Sequence, residues 1–402
     1  MPRPTTGPRA AGLTLLAVGM LALSACAAGA TDQSGGPSYP PAGPVGCPLP
    51  NGPVAVAASA RAGSPAVEIS PAVVTVLTHA VDRGDYAALV DTDGSPTVTK
   101  QGSMRSTAKN PAARAKDDAA HLSTLEGFIT RSRANAPESD PLGALDVAAR
   151  TVHAQGAHGT VVLVDSGLQT TGALRYQSDS LLLASGRDLV GQLRSSRQLP
   201  DLRGLTVVLG GLGDTAAPQP RLDLASRSRL VDQWRAIATA AGASCVHVDP
   251  QPLSQPSPTG LPRVSTVRIP RPTPPRLHRD RPVALREDTV GFRDDSARLR
   301  DESAALTDLK PLARQIRTGG HRVLVIGTTA TAGTDQGRRR LSEQRAEAVK
   351  RLLVDLGVPA ADISTRGVGT HYRAHVPDLD GQGNLVPRLA VRNRAVFVVV
   401  RH

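Results

Sequence analysis

Nine prolines fall between Pro252 and Pro282, interleaved with arginines at 263, 268, 271, 276, 279 and 281. Proline removes a backbone donor and fixes φ, so neither a helix nor an interior strand runs through such a segment. Residues 251–283 are therefore read as a solvated linker, and the 402-residue chain divides into 51–250 and 284–402. A second Pro/Gly-rich stretch, 26–50, reads as a tether ahead of the first domain. With three Phe, four Tyr and one Trp, the cores must be built from Val, Leu, Ile and Ala. So few rings exclude the stacking platforms that hold single-stranded nucleic acid. They also argue against an aromatic-lined sugar cleft. The formal net charge of +12 points to anionic surroundings. No Lys/Arg cluster sits beside aromatics, so a nucleic-acid partner is not expected.

The amino terminus reads as an export signal. Arg3 and Arg9 precede an apolar run from Ala10 to Leu23, about fourteen residues. That is short of the roughly 20 needed to span a bilayer and fits the hydrophobic part of a signal peptide, residues 1–25. The run ends Leu23-Ser24-Ala25-Cys26. This tetrapeptide resembles the lipobox of bacterial lipoproteins. The resemblance implies acylation of Cys26, membrane lipid as a partner, and an anchored protein facing the extracytoplasmic side. The Arg-, Ala-, Gly- and Pro-rich composition suggests an actinobacterial source. There the lipid would sit in the outer leaflet of the cytoplasmic membrane.

Two other cysteines remain, Cys47 and Cys245. Outside the cytoplasm a pair of thiols tends to be oxidised. A Cys47–Cys245 disulfide is expected; two separate buried cysteines are the alternative. Neither has the spacing of a zinc site.

Between the linkers, apolar runs alternate with helical patterns. Strands are expected at 53–58, 86–91, 160–165, 206–210 and 245–248. Helices are expected at 72–83, 113–136, 141–154, 188–194 and 224–241, with Asp140 as an N-cap before Pro141. The alternation predicts an α/β fold, a doubly wound, mostly parallel sheet covered on both faces. The order resembles a degenerate von Willebrand factor A domain. That family's metal site begins with an Asp after the first strand; here Val54–Ala58 is followed by Ser59, so no metal and no cofactor is expected. Asp165 and Ser166 end a strand where open α/β sheets place ligands, and the segment 165–172 reads either as a small polar site or as a connecting loop. Gly210-Gly211-Leu212-Gly213 lacks dinucleotide spacing.

Residues 284–402 read strand, helix, strand, helix, strand, long loop, strand, with the first strand at Thr289–Phe292 and the second at Arg322–Gly327. Leu341, Arg345, Ala348, Val349, Leu352, Leu353 and Leu356 share one helical face, and Gly357 and Pro359 close that helix. Leu341, Ser342, Arg345, Ala346, Val349, Gly367, Gly369, Asn393, Arg394 and Val396 stand in the order found in the OmpA-like peptidoglycan-binding domain, which this region resembles. The resemblance implies an α+β domain with a mixed four-stranded sheet. It also implies a site for the peptidoglycan stem peptide. In the family, a loop Asp and the helix Arg hold the amino and carboxylate groups of diaminopimelate. Arg345 matches the Arg, but Ala330 stands at the position of the Asp. Asp335 is the expected substitute, with Thr329, Asn393 and Arg394 as further contacts. Asp378-Leu379-Asp380-Gly381 is read as a Gly/Asp turn rather than a calcium loop.

Two functional readings stay open. One is a non-enzymatic, lipid-anchored envelope protein that contacts the wall. The other is an envelope sensor or adaptor, binding a protein or small ligand through 51–250, whose C-terminal domain has lost wall binding. A hydrolase built around Asp165 is the least favoured; it would need a His within hydrogen-bond reach.

Overall fold

Val-rich segments, buried along their whole length, form the centre of a six-stranded sheet in the computed structural model, which describes residues 45–178, 181–271 and 273–401. The export signal, Cys26 and most of the 26–50 tether lie outside these residues. The first region runs β1 (Val54–Ala58), α1 (Pro71–Asp82), β2 (Tyr86–Val90), β3 (Val98–Ser103), α2 (Pro111–Thr130), α3 (Pro141–His153), β4 (Gly159–Val164), α4 (Gly186–Ser195), β5 (Leu205–Gly210), α5 (Leu224–Ala240) and β6 (Cys245–Val248). Its strand order is β3-β2-β1-β4-β5-β6, parallel except for β3. Consecutive side chains of a strand point to opposite faces. Accordingly Ala55, Ala57, Val161 and Leu163 join one core with α3, α4 and α5, while Val54, Val56, Val162 and Val164 join another with α1 and α2. Two covered faces explain why these strands read as unbroken apolar runs.

The sequence pattern missed β3. Val98-Thr-Lys-Gln-Gly-Ser103 has no apolar run because it is an exposed edge, where Lys100 discourages further strand pairing. The helix expected to reach residue 136 stops at Thr130. Its next residues are drawn to the strand end: Ala60 N–H donates to the Ser132 carbonyl, and Ala134 N–H donates to that of Ala60. Asp140 caps α3 as expected, accepting from Gly143 N–H at 2.9 Å.

The described residues of the proline-rich stretch form no helix or strand as far as residue 282, and most stay exposed or half-buried. The stretch lies along the first domain, held through its backbone. Gln219 bonds both the N–H and the carbonyl of Val267, at 2.7 and 2.9 Å, and Val267 is 1% exposed. Glu68 accepts from Gln255 N–H, and Glu138 from Ser265. A chain poor in internal hydrogen bonds is thus satisfied by side chains of its neighbour.

The second region runs β7 (Val283–Leu285), α6 (Glu302–Thr318), β8 (Arg322–Gly327), α7 (Asp335–Asp355), β9 (Ile363–Gly367), α8 (Pro387–Asn393) and β10 (Val396–Arg401). Its mixed sheet has the order β7-β10-β8-β9, with β8 and β9 parallel and β10 antiparallel to β7 and β8. The first strand is Val283–Leu285, not Thr289–Phe292. The latter residues turn back on themselves, with Thr289 and Val290 N–H both donating to Arg286. The short helix α8 also escaped the sequence reading. Its Val391 packs into the core of the first domain.

Cys47 and Cys245 are joined as a disulfide with Cα atoms 5.8 Å apart. It ties the entering chain to the edge strand β6. Among the described residues, no helix is long and apolar enough to cross a membrane.

Candidate ligand-binding cleft

Two glycines and a serine hold β8, β9 and α7 in close contact. A Cβ at Gly327 would strike the Ser342 carbonyl oxygen, and one at Gly367 would strike Glu343 N. Ser342 Oγ accepts from Gly369 N–H at 2.9 Å and donates to the Arg339 carbonyl at 2.7 Å. The loop after β8 is then fixed from three sides. Thr328 bonds the Asn393 and Ala395 carbonyls, Thr329 N–H donates to Gly369, and Thr331 N–H donates to Asp378.

This framework borders a cleft of about 690 Å³ lined by the 329–334 loop, the first turns of α7, Arg394, the 383–385 loop and, from the first domain, Arg187, Asp188 and Gly191 of α4. Arg345 lies in its wall, only 3% exposed. Its Nε donates to the Ser296 carbonyl at 3.0 Å, and its guanidinium lies over the Phe292 ring, 4.9 Å from the centroid. Burial pushes the Arg345 pKa down to about 10, with Glu287 opposing the shift. The side chain therefore stays charged throughout the physiological range. Among the described residues Arg345 has no carboxylate within ion-pair distance, whereas Arg187, Arg338, Arg339 and Arg394 each have one. Glu287, buried behind it, has its pKa raised by burial, against the pull of Arg345, Arg394, Arg229 and Arg300. Thr329 also lines the cleft, and among the described residues its buried hydroxyl has no hydrogen-bond partner. An orphaned buried hydroxyl costs about 1–3 kcal/mol, which a ligand can recover.

The other expected contacts separate. Arg394 lines the cleft, and its two terminal nitrogens grip the two carboxylate oxygens of Asp188. Asp335 does not line it. It pairs with Arg338, which does line the cleft, and with Arg339 at the start of α7. Asn393 is also turned away: it bonds Val376 through both N–H and carbonyl and Asp378 through Nδ2, bracing the loop. Asp378 and Asp380 are occupied by such turn contacts, Asp380 accepting from Gln382 and Asn384 N–H. Sequence reasoning missed Asp188, which no local pattern relates to Arg394, 206 residues away.

At the carboxyl ends of β1 and β4, the candidate polar site at Asp165 is filled by a cation from within. Arg61 donates to both Asp165 oxygens, at 3.1 and 2.6 Å, and to Ser166 Oγ at 2.9 Å. Gly167 N–H also donates to Asp165, and among the described residues no histidine does. Asp165 thus serves as an internal counter-ion. Among the described residues, no cluster of three or more His, Cys, Asp or Glu is arranged to hold a metal ion.

Residues 291–378 match the OmpA family. The chain is 49% identical over 47 residues to outer membrane protein A of Serratia marcescens, covering 12% of this chain and 13% of that protein. Among solved structures, it is similar to the peptidoglycan-associated lipoprotein of Burkholderia pseudomallei (24% identity, 29% of this chain and 89% of that one, TM-score 0.24). It is also similar to the cell wall anchor of the T6SS of Pseudomonas aeruginosa (25% identity, 30% and 81%, TM-score 0.24). The C-terminal region is an OmpA-like domain. The chain spans about an eighth of the length of the curated relative it matches.

Proposed function

We propose that this chain is a non-enzymatic envelope protein that holds the stem peptide of peptidoglycan in the Arg345 cleft. Acylated Cys26 would hold its other end in the membrane. The observation that carries the reading is Arg345: a buried guanidinium in the wall of an open cleft, with a π-face and a backbone carbonyl as partners and, among the described residues, no carboxylate within ion-pair distance. A buried guanidinium with no carboxylate in direct contact attracts an anion, and its fork suits a carboxylate. The relatives named as peptidoglycan-associated or as a cell wall anchor support the same ligand class. With a membrane anchor at one end, each contact can be individually weak, because the second forms at high effective concentration.

The test is co-sedimentation of the full chain with purified sacculi. Wild type should pellet, and Thr329→Val, which removes the orphaned hydroxyl without changing shape, should pellet less while melting no lower. A wild-type chain that stays in the supernatant at low salt refutes wall binding. For the anchor, labelled palmitate should enter wild type and not Cys26→Ala; equal labelling refutes it.

A further inference from the structure

The helix α2 is 20 residues long and buries only Leu122 and Ile129. Between it and the face formed by β1, β2 and β3 lies an apolar cavity of about 140 Å³. Its walls are Val56 and Leu89 from the sheet, Leu77 from α1, and Leu125 and Ile129 from α2. The hollow follows from the register of the edge strand. Gly102 stands opposite Ala87 and Lys100 opposite Leu89, and residues two apart on a strand share a face. Gly102 and Lys100 therefore both lie on the face that α2 covers. A Cβ built on Gly102 would meet nothing within 4 Å. A glycine inside a strand often marks a place where a ligand approaches closely. Lys100 and Phe128, both exposed, mark the open side of the cavity, with the ammonium 5.4 Å from the ring centroid. Among the described residues no carboxylate lines the cavity or pairs with Lys100. His121 also lines it, and its buried Nδ1 has no hydrogen-bond partner among those residues.

We infer that this cavity binds a small anionic amphiphile, with its apolar end among the leucines and its acid group at the Lys100 ammonium. The inference is independent of the Arg345 cleft and of wall binding. An engineered apolar cavity of about 150 Å³ stays dry and takes up benzene, so a hollow of this size holds roughly six carbon atoms. Apolar walls with no occupant forgo dispersion contacts that such a ligand restores. The charge sets the ligand's direction. A hydrocarbon alone would fill the hollow and leave Lys100 unused, whereas an acid gains a charge-assisted hydrogen bond from it. His121, in the tautomer that carries its proton on Nδ1, offers a second donor to the ligand. The ligand class is therefore a carboxylic acid with an apolar body of about six carbons.

The experiment is a ligand-observed NMR titration of the full chain with hexanoate, and with hexan-1-ol as the uncharged control. Wild type should bind hexanoate saturably and about tenfold more tightly than hexan-1-ol, the size of one charge-assisted contact. Lys100→Met, which keeps an apolar stem at an exposed position, should bind the two equally. Gly102→Leu should fill the cavity, weaken hexanoate binding about tenfold or more, and melt no lower than wild type. The site is overturned if wild type does not bind hexanoate, if Lys100→Met keeps the preference for the acid, or if Gly102→Leu binds hexanoate as wild type does. A Gly102→Leu chain that melts higher while wild type binds neither probe also overturns it, marking the hollow as a packing gap. Should Gly102→Leu fail to fold, the comparison of wild type with Lys100→Met still decides.

Discussion

Arg61 and Asp165 form a two-pronged ion pair at the crevice between β1 and β4, with their side chains 2% and 1% exposed. The pair sits where the strand order reverses, the position at which open α/β sheets commonly bind ligands. Here the site has been filled by the protein's own charges.

Removing one partner should leave an uncompensated buried charge. Arg61→Ala is expected to lower unfolding free energy by about 3–5 kcal/mol in urea titrations. The double variant Arg61→Met, Asp165→Leu should recover most of that loss, because a packed apolar pair carries no desolvation cost. A single variant within about 1 kcal/mol of wild type would contradict a structural role for the pair.

The disulfide spans a separation of 198 residues and pins the entering segment beside β6. Reduction should therefore destabilise the folded chain by about 2–5 kcal/mol, chiefly by freeing the unfolded state. Comparing melting curves with and without dithiothreitol checks this. Coincident curves, or two free thiols in the non-reduced protein, would rule the bond out.

Gly327 lies where β8 passes the α7 backbone, and its absent side chain is what permits that approach. Gly327→Ala should force β8 and α7 apart and cost about 1–3 kcal/mol, with wall binding reduced because the 328–331 loop leaves from this point. Calorimetry would reveal the cost; an unchanged transition temperature would mean the contact is looser than described.

Glu287 gives a pH dependence with a definite sign. Its folded-state pKa is raised above the ordinary 4.5 by burial, although Arg345, Arg394, Arg229 and Arg300 pull it down. The folded state thus holds its proton more tightly than the unfolded state does. The associated stability is present below pH 4.5 and is lost as pH rises through the folded-state value. Wild type should therefore lose stability relative to Glu287→Gln as pH climbs from 4.5 towards neutrality, measured by denaturant titration at each pH. A difference that moves the other way would mean the arginines, not burial, govern this group.

Much of the architecture was legible because it follows from local chemistry. Apolar runs gave β1, β2, β4 and β5, the short Cys-Val-His-Val segment gave β6, and the Asp140-Pro141 cap gave the start of α3. The Gly367, Gly369 and Ser342 positions that carried the family resemblance prove to be packing positions, where backbone meets backbone. What escaped depended on partners distant in sequence. β3 has no apolar signature because it is an exposed edge, and the proline-rich segment is ordered by Gln219, Glu68 and Glu138 rather than by its own residues. Within the cleft, Arg345 and Thr329 could be named from a motif. Asp335 was the nearest acid in sequence; the acids that line the cleft are Asp188 and Asp295, each paired with an arginine.

The central claim is that a carboxylate-bearing wall peptide binds at Arg345, and calorimetric titration of a soluble stem peptide into the full chain tests it most directly. The account predicts saturable one-to-one binding that weakens with added salt and falls at least tenfold in Arg345→Met, with the variant's fold confirmed by circular dichroism. No binding by wild type, or equal affinity in Arg345→Met, would contradict it.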